Sequence, residues 1–247
     1  MQKLNLKVEK FQKFINFLKR FQGIDNSLLL EIDNGFVKAK SYTPEKSVVK
    51  YSAIPLDEVF SEYSDISAPV KVGILNIDKL SSSFKFFGES EFEFILDYEN
   101  VNGDNTGTGI VLKNSSLAIE FQCASLKLFT YITDDVLNKI TDTSSSKVDF
   151  LLPKEQQAKI SSLFGIDSDH SKITFNKKGD EVLAEGKNFK LQVVDTDVAN
   201  KPNANLSVFK HHYAFLDRED AIVHIADEKL IFVSNESDTK MIIGEAE

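Results

Sequence analysis

Apolar and polar residues alternate over residues 3–8, the period of a half-exposed strand. The period then lengthens. Across residues 9–22, Phe11, Phe14, Ile15, Leu18 and Phe21 follow the i, i+3, i+4, i+7 spacing of one helix face, and Gly23 is placed to end that helix. Short apolar runs at 28–32, 36–42 and 47–54 predict strands, with Asn34-Gly35 as a hairpin turn between the first two. Residues 55–69 fit a loop with a short helix. Helical spacing returns at 76–87 through Ile77, Leu80, Phe84 and Phe87, and strands are predicted at 92–98, 109–112 and 117–123, with 102–109 as a hairpin loop.

The order then repeats: a strand at 148–152, a helix at 153–164 opening on Pro153, strands within 172–194, a helix at 206–216 and strands at 221–226, 229–234 and 240–244. Gly23-Ile24-Asp25 recurs as Gly165-Ile166-Asp167, an offset of 142 residues (165 − 23). A second register of 131 (206 − 75) sets Lys79 on Lys210 and Phe84 on Phe215. These matches predict two similar α+β domains, 1–125 and 147–247, joined by a connector at 126–146 that ends in a Ser/Thr run.

Composition narrows the function. A 247-residue chain that is 42% apolar can bury a core, so disorder is excluded. With 38 acidic and 29 basic residues the formal charge is −9, so nucleic acid can be bound only where cations gather on one face. The single cysteine, Cys123, excludes a disulfide framework and a cysteine-based zinc site. No apolar run reaches the roughly 20 residues of a membrane span, which points to a soluble, cytoplasmic protein.

Cations do gather. On the first helix the polar half carries Gln12, Lys13, Asn16, Lys19 and Arg20, with Lys10 at its boundary and Glu9 alone at the start. The second offers Lys79 and Lys85 with Ser82, diluted by Asp78. The third offers Lys154 and Lys159 beside Glu155, and the fourth Lys210 with Tyr213. One basic face alone reads as a solvated surface; four in an acidic chain point to phosphate. Arg218, within Asp217-Arg218-Glu219-Asp220, is expected to be paired there.

Catalytic signals are lacking. The adjacent pair His211-His212 diverges on a helix and does not suit a shared metal, and His224, between Val223 and Ile225, is expected to face solvent. Asp134-Asp135 and Asp195/Asp197 could meet a cation but read as solvated loop carboxylates. Residues 103–109 lack the ending of a phosphate loop, and Cys123 reads as core. No cofactor, metal site or enzymatic activity is expected.

The segments KVEKFQKFINFLKRFQGIDNSLLLEIDNGFVKAKS, VGILNIDKLSSSFKFFG, KVDFLLPKEQQAKISSLFGIDSDHSKITFNKKG and the closing HIADEKLIFVSNESDTKMIIGEAE resemble the trimeric sliding DNA clamps. That family includes proliferating cell nuclear antigen and the clamp of T-even-type phages. The resemblance spans nearly the whole chain in element order, apart from residues 55–69. It implies a homotrimeric ring of processivity-fold domains, each with two helices packed on antiparallel sheet. Such a ring encircles duplex DNA without reading sequence and tethers a DNA polymerase, after placement by a clamp loader. The T-even likeness inclines the reading to a phage protein in the host cytoplasm. DNA would meet Lys10, Lys13, Asn16, Lys19, Arg20, Lys79, Lys85, Lys154, Lys159 and Lys210. By the same resemblance, partner peptides would dock on Tyr42, Val48, Leu126, Leu128, Phe129, Ile242 and Ile243. The competing reading is a non-enzymatic structural or assembly protein, a two-domain virion component with solvated basic faces.

Overall fold

Two helix-and-sheet units account for the chain. The computed structural model describes residues 2–33, 35–64, 66–88, 91–129, 132–194 and 201–246, so Asn34, Asp195 and Asp197 lie outside the described residues. One unit comprises residues 1–41 and 51–131, the other residues 42–50 and 132–247.

In the first unit, β1 (Gln2–Val8) leads into α1 (Phe11–Lys19), followed by β2 (Leu28–Ile32), β3 (Phe36–Tyr42) and β4 (Val48–Pro55). Then come β5 (Phe60–Tyr63), β6 (Val70–Ile74), α2 (Ile77–Ser83), β7 (Phe92–Val101), β8 (Asp104–Lys113) and β9 (Ala118–Gln122). The strands hydrogen-bond in the order β4-β3-β2-β6-β8-β7-β1-β5, and β9 adds to β8. α1 buries Phe14, Ile15, Phe17 and Leu18, so its apolar face is wider by Phe17 than the spacing predicts. Phe14 sits at the centre of this core, its ring 5.5 Å from Phe84, 5.7 Å from Phe60 and 5.8 Å from Phe94. Leu56, Val59, Phe60 and Ile66 belong to the same core. A 3-10 turn at Leu56–Glu58 and β5 bury Leu56, Val59 and Phe60. The Val59 carbonyl accepts from the amides of Glu9 and Lys10 and so fixes the start of α1.

The second unit contains α3 (Asp134–Ile140), β10 (Val148–Leu152), α4 (Lys154–Leu163), β11 (Lys172–Lys178), β12 (Glu181–Glu185) and β13 (Lys190–Val194). It continues with β14 (Ala204–Phe209), α5 (Lys210–Tyr213), β15 (Ala221–Ala226), β16 (Lys229–Ser234) and β17 (Asp238–Gly244). One sheet runs β10-β15-β16-β17, the other β13-β12-β11-β14. Phe175, Tyr213 and Phe232 meet in the core, where Val48 is also buried. The Ser47 carbonyl accepts from Gly244 N at 2.7 Å, which explains why residues 42–50 count with this unit.

Two expectations are corrected and one helix is added. Residues 102–109 are not a loop: β7 and β8 turn over Asn102-Gly103, and Gly107 and Gly109 lie within β8. A Cβ at Gly107 would come within 3.1 Å of Leu96 and 3.3 Å of Val72, so the glycine there admits close packing. The added helix is α3, within the expected connector, where Thr133 caps it by accepting from Val136 N. The helix expected at 206–216 begins only at Lys210. Its first half is β14, where Leu206 and Val208 alternate into the core.

Candidate nucleic-acid interface

α1 and α2 pack side by side and antiparallel. Gln22 Nε2, beyond the end of α1, donates to Asp78 Oδ1 at the start of α2, while Phe14 meets Phe84 at the other end. With their apolar sides turned inward, these helices leave Lys10, Lys13, Asn16, Lys19, Lys79 and Lys85 exposed and Arg20 half-buried. Lys13 reaches Glu58 at 2.7 Å, and Lys79 Nζ lies 5.9 Å from the centroid of Phe121. These exposed pairings are weak enough to exchange for phosphate contacts. Phe86, on the turn after α2, is exposed beside Lys85, a feature the periodicity did not flag.

In the second unit α4 exposes Lys154 and Lys159. Asp220 Oδ1 accepts from Lys154 N at 2.9 Å and so caps the helix, while Pro153 stands at the N-cap, one position before the first helical residue. The acidic run at 217–220 is divided among separate tasks. Asp217 holds Lys50, Glu219 accepts from Ser234 and Ser237, and Asp220 caps α4.

Lys210 has a different role from the one its sequence position suggests. Its side chain is 11% exposed, and Nζ lies 2.6 Å from the Asp167 carbonyl oxygen, 3.4 Å from the Asp167 carboxylate and 5.4 Å from the Phe164 centroid. The register explains this. Ile77 N donates to the Asn26 carbonyl where α2 begins, and Lys210 N donates to the Ser171 carbonyl where α5 begins. Aligned on these helix starts the offset is 133 (210 − 77), which sets Lys210 on buried Ile77 and Tyr213 on buried Leu80. Lys210 is a structural cation. Tyr213 is likewise core, and α5 exposes His211 instead.

Asp167 itself is fully buried, accepting from Lys187 N (2.6 Å), Asn188 N (3.1 Å) and Asn188 Nδ2 (2.7 Å). Burial pushes its carboxyl up, but the Lys187 amide, the Lys210 ammonium and the Asn188 amide outweigh that and hold it below the usual range. A depressed carboxyl contributes stability that is complete above its unfolded pKa and is lost as pH falls through its folded one. Between pH 7 and pH 3 the urea midpoint of the wild type should therefore fall more steeply than that of Asp167→Asn. Parallel profiles would refute this role.

The expected docking residues divide. Val48 and Ile243 are fully buried and Ile242 nearly so, which makes them core of the second unit. Tyr42 is half-buried. In the first unit Leu126 and Phe129 are half-buried and Leu128 is 68% exposed on a 3-10 turn. The Phe129 ring rests on Gly73, where a Cβ would come within 2.6 Å of it.

Cys123 follows β9, half-buried, and burial pushes its thiol up to about 12, so it is not a nucleophile at neutral pH. Ser47, His212 and Glu45 lie within hydrogen-bond reach but do not form a catalytic relay. Both Ser47 Oγ (3.0 Å) and Glu45 Oε1 (3.2 Å) approach the same His212 nitrogen, Nε2. His224 is half-buried on β15, and burial lowers its pKa. Among the described residues no group of His, Cys, Asp or Glu could hold a metal ion, and no helix is long and apolar enough to cross a membrane.

No protein-family model matches the sequence, and no curated protein matches it. Solved structures do. The chain is similar to PCNA from Thermococcus kodakaraensis, with a TM-score of 0.68 and 11% identity over 98% of this chain and 100% of that one. It is also similar to A. fulgidus PCNA, solved with the C-terminal region of FEN-1, with a TM-score of 0.70 and 10% identity over 99% of this chain and 98% of that one. The two-domain α+β fold of PCNA sliding clamps thus extends over nearly the whole chain.

Proposed function

We propose that this protein is a sliding clamp, a non-enzymatic processivity factor whose homotrimeric ring encircles duplex DNA and tethers a DNA polymerase. The observation that carries the reading is the sign reversal on the helices. A chain of net charge −9 exposes Lys10, Lys13, Lys19, Lys79 and Lys85 on α1, α2 and the turns that flank them, and Lys154 and Lys159 on α4. Together with Asn16 and Arg20 these residues contact phosphate without reading bases, so no position along the duplex is favoured and the protein slides. Lys210 is not among them.

The acidic remainder opposes ordinary surface binding, so retention depends on encirclement. Subunits join by pairing strand edges, which also protects those edges from aggregation. β9 and β13, each hydrogen-bonded to one neighbour in its sheet, are available for this. Partner proteins, including the polymerase and a clamp loader, dock short peptides on Leu126, Leu128 and Phe129 of the first unit. The peptide-bound A. fulgidus PCNA supports that mode of docking.

Light scattering at micromolar concentration should give three times the chain mass, and negative-stain images should show a ring with a central hole. A monomer at every concentration, or a closed particle without a passage, would overturn the assignment. The latter would favour the assembly-protein reading.

A further inference from the structure

The tip between β3 and β4 carries a polar cluster that the proposed function does not use. Thr43 N donates to the Val48 carbonyl, and Val48 N returns a bond to Thr43 Oγ1 at 3.1 Å. Ser47 Oγ donates to Glu45 Oε1 at 2.7 Å and lies 3.0 Å from His212 Nε2, which is itself 3.2 Å from Glu45 Oε1. Backbone bonding continues to β17 through Gly244 N and the Ser47 carbonyl. His212 is 2% exposed, and its Nδ1 is buried with no hydrogen-bond partner.

This geometry accepts one protonation state. A neutral imidazole with its proton on Nε2 donates to Glu45 or Ser47 and leaves only a lone pair at Nδ1. A second proton would create a buried N–H with no acceptor. The titratable neighbours of His212 are Glu45 from the tip, held at about 2 chiefly by the Ser47 hydroxyl, and His211, whose ring centroid is 4.1 Å away on the same helix. Lys210 is turned into Asp167, and Phe209 and Phe215 supply ring contacts. Burial, then His211, lowers the His212 pKa below its ordinary 6.5, against the pull of Glu45.

We propose that the Ser47–His212–Glu45 cluster is a proton-sensitive latch that holds the β3–β4 tip in the second unit while His212 is neutral and releases it on protonation. The sign follows from linkage: the closed state disfavours the proton, so closure is strongest above the ordinary histidine range and weakens as pH falls through the lowered value. Opening breaks the Ser47–Gly244 bond and exposes Val48. The inference rests on the fold and not on DNA binding.

Amide hydrogen exchange of the intact protein, corrected for intrinsic rates, tests it. Protection at Val48 and Gly244 should fall on the order of tenfold between pH 7.5 and pH 5, the scale set by one buried donor without an acceptor. His212→Gln, which keeps a donor but cannot take the proton, should flatten that profile. Protection unchanged by pH in the wild type, or an equal fall in His212→Gln, would overturn the latch. Should that variant not fold, the wild-type His212 ring resonance decides: it must titrate below the ordinary range together with the loss of protection, and titration without that loss refutes the proposal.

Discussion

Asp217→Ala should destabilise the protein by about 3 kcal/mol, measured by urea unfolding followed by circular dichroism at pH 7. The reason is Lys50, whose side chain is 1% exposed and whose ammonium is 2.7 Å from Asp217 Oδ1 and 2.9 Å from the Phe215 carbonyl. Truncating the carboxylate removes the charge 2.7 Å from a buried ammonium, and breaking such a pair costs about 3–5 kcal/mol. The lower end applies because Asp217 is 18% exposed and retains some hydration in the folded protein. Replacing both members by apolar residues, Lys50→Met with Asp217→Leu, should recover most of the loss, since the desolvation cost disappears with the pair. A loss under about 1 kcal/mol for Asp217→Ala would show that Lys50 does not depend on this carboxylate. Because residues 42–50 belong to the second unit, the same pair helps fix the first three residues of β4, 48–50, there.

Much of the fold was legible where packing obeys a single period. α1 declared itself because Phe14, Ile15 and Leu18 recur at helical spacing and all reach the core. β10 and β15 were equally plain, since buried and less buried positions alternate along each. α3 escaped because its apolar stripe is thin: Leu137 is its one buried residue, and Thr133 with Asp134 and Asp135 was the start signal available. The difference with the widest consequence is where the fourth helix starts. Pairing Lys79 with Lys210 made the second lysine a phosphate ligand, whereas the bonds that start the two helices align it with Ile77. A cation in an apolar slot needs an anion beside it. Asp167 in the repeated Gly-Ile-Asp segment supplies one, yet sequence spacing alone could not tell that Lys210 folds back onto it. The docking residues divide for a similar reason: a β-strand pattern shows that Ile242 or Ile243 is apolar, not whether a second layer covers it.

The largest functional effect should come from the helix faces. A bead-bound linear duplex with an open or a blocked far end separates encirclement from surface binding without requiring a loader. Rings that thread over the open end should remain when that end is then blocked and escape when it is left free, a difference on the order of tenfold or more in residence time. Reversing Lys10, Lys19, Arg20 and Lys79 to Glu should leave the subunit number unchanged, because none of the four lies on β9 or β13. It should nevertheless lower occupancy of the blocked duplex at least about tenfold near 0.1 M salt, as each lost phosphate contact removes a counterion-release term and each new carboxylate adds repulsion. The Lys210→Met control separates this face from the structural cation: it should alter stability and leave retention nearly unchanged. Equal residence on open and blocked ends would exclude topological capture, and undiminished occupancy of the reversed variant would remove the α1–α2 face from the bore. The outcome turns on charge placement rather than charge total. The chain stays acidic overall while the exposed sides of α1 and α2 remain basic, and a ring that surrounds its ligand, as proposed, would turn that contrast into mobile retention.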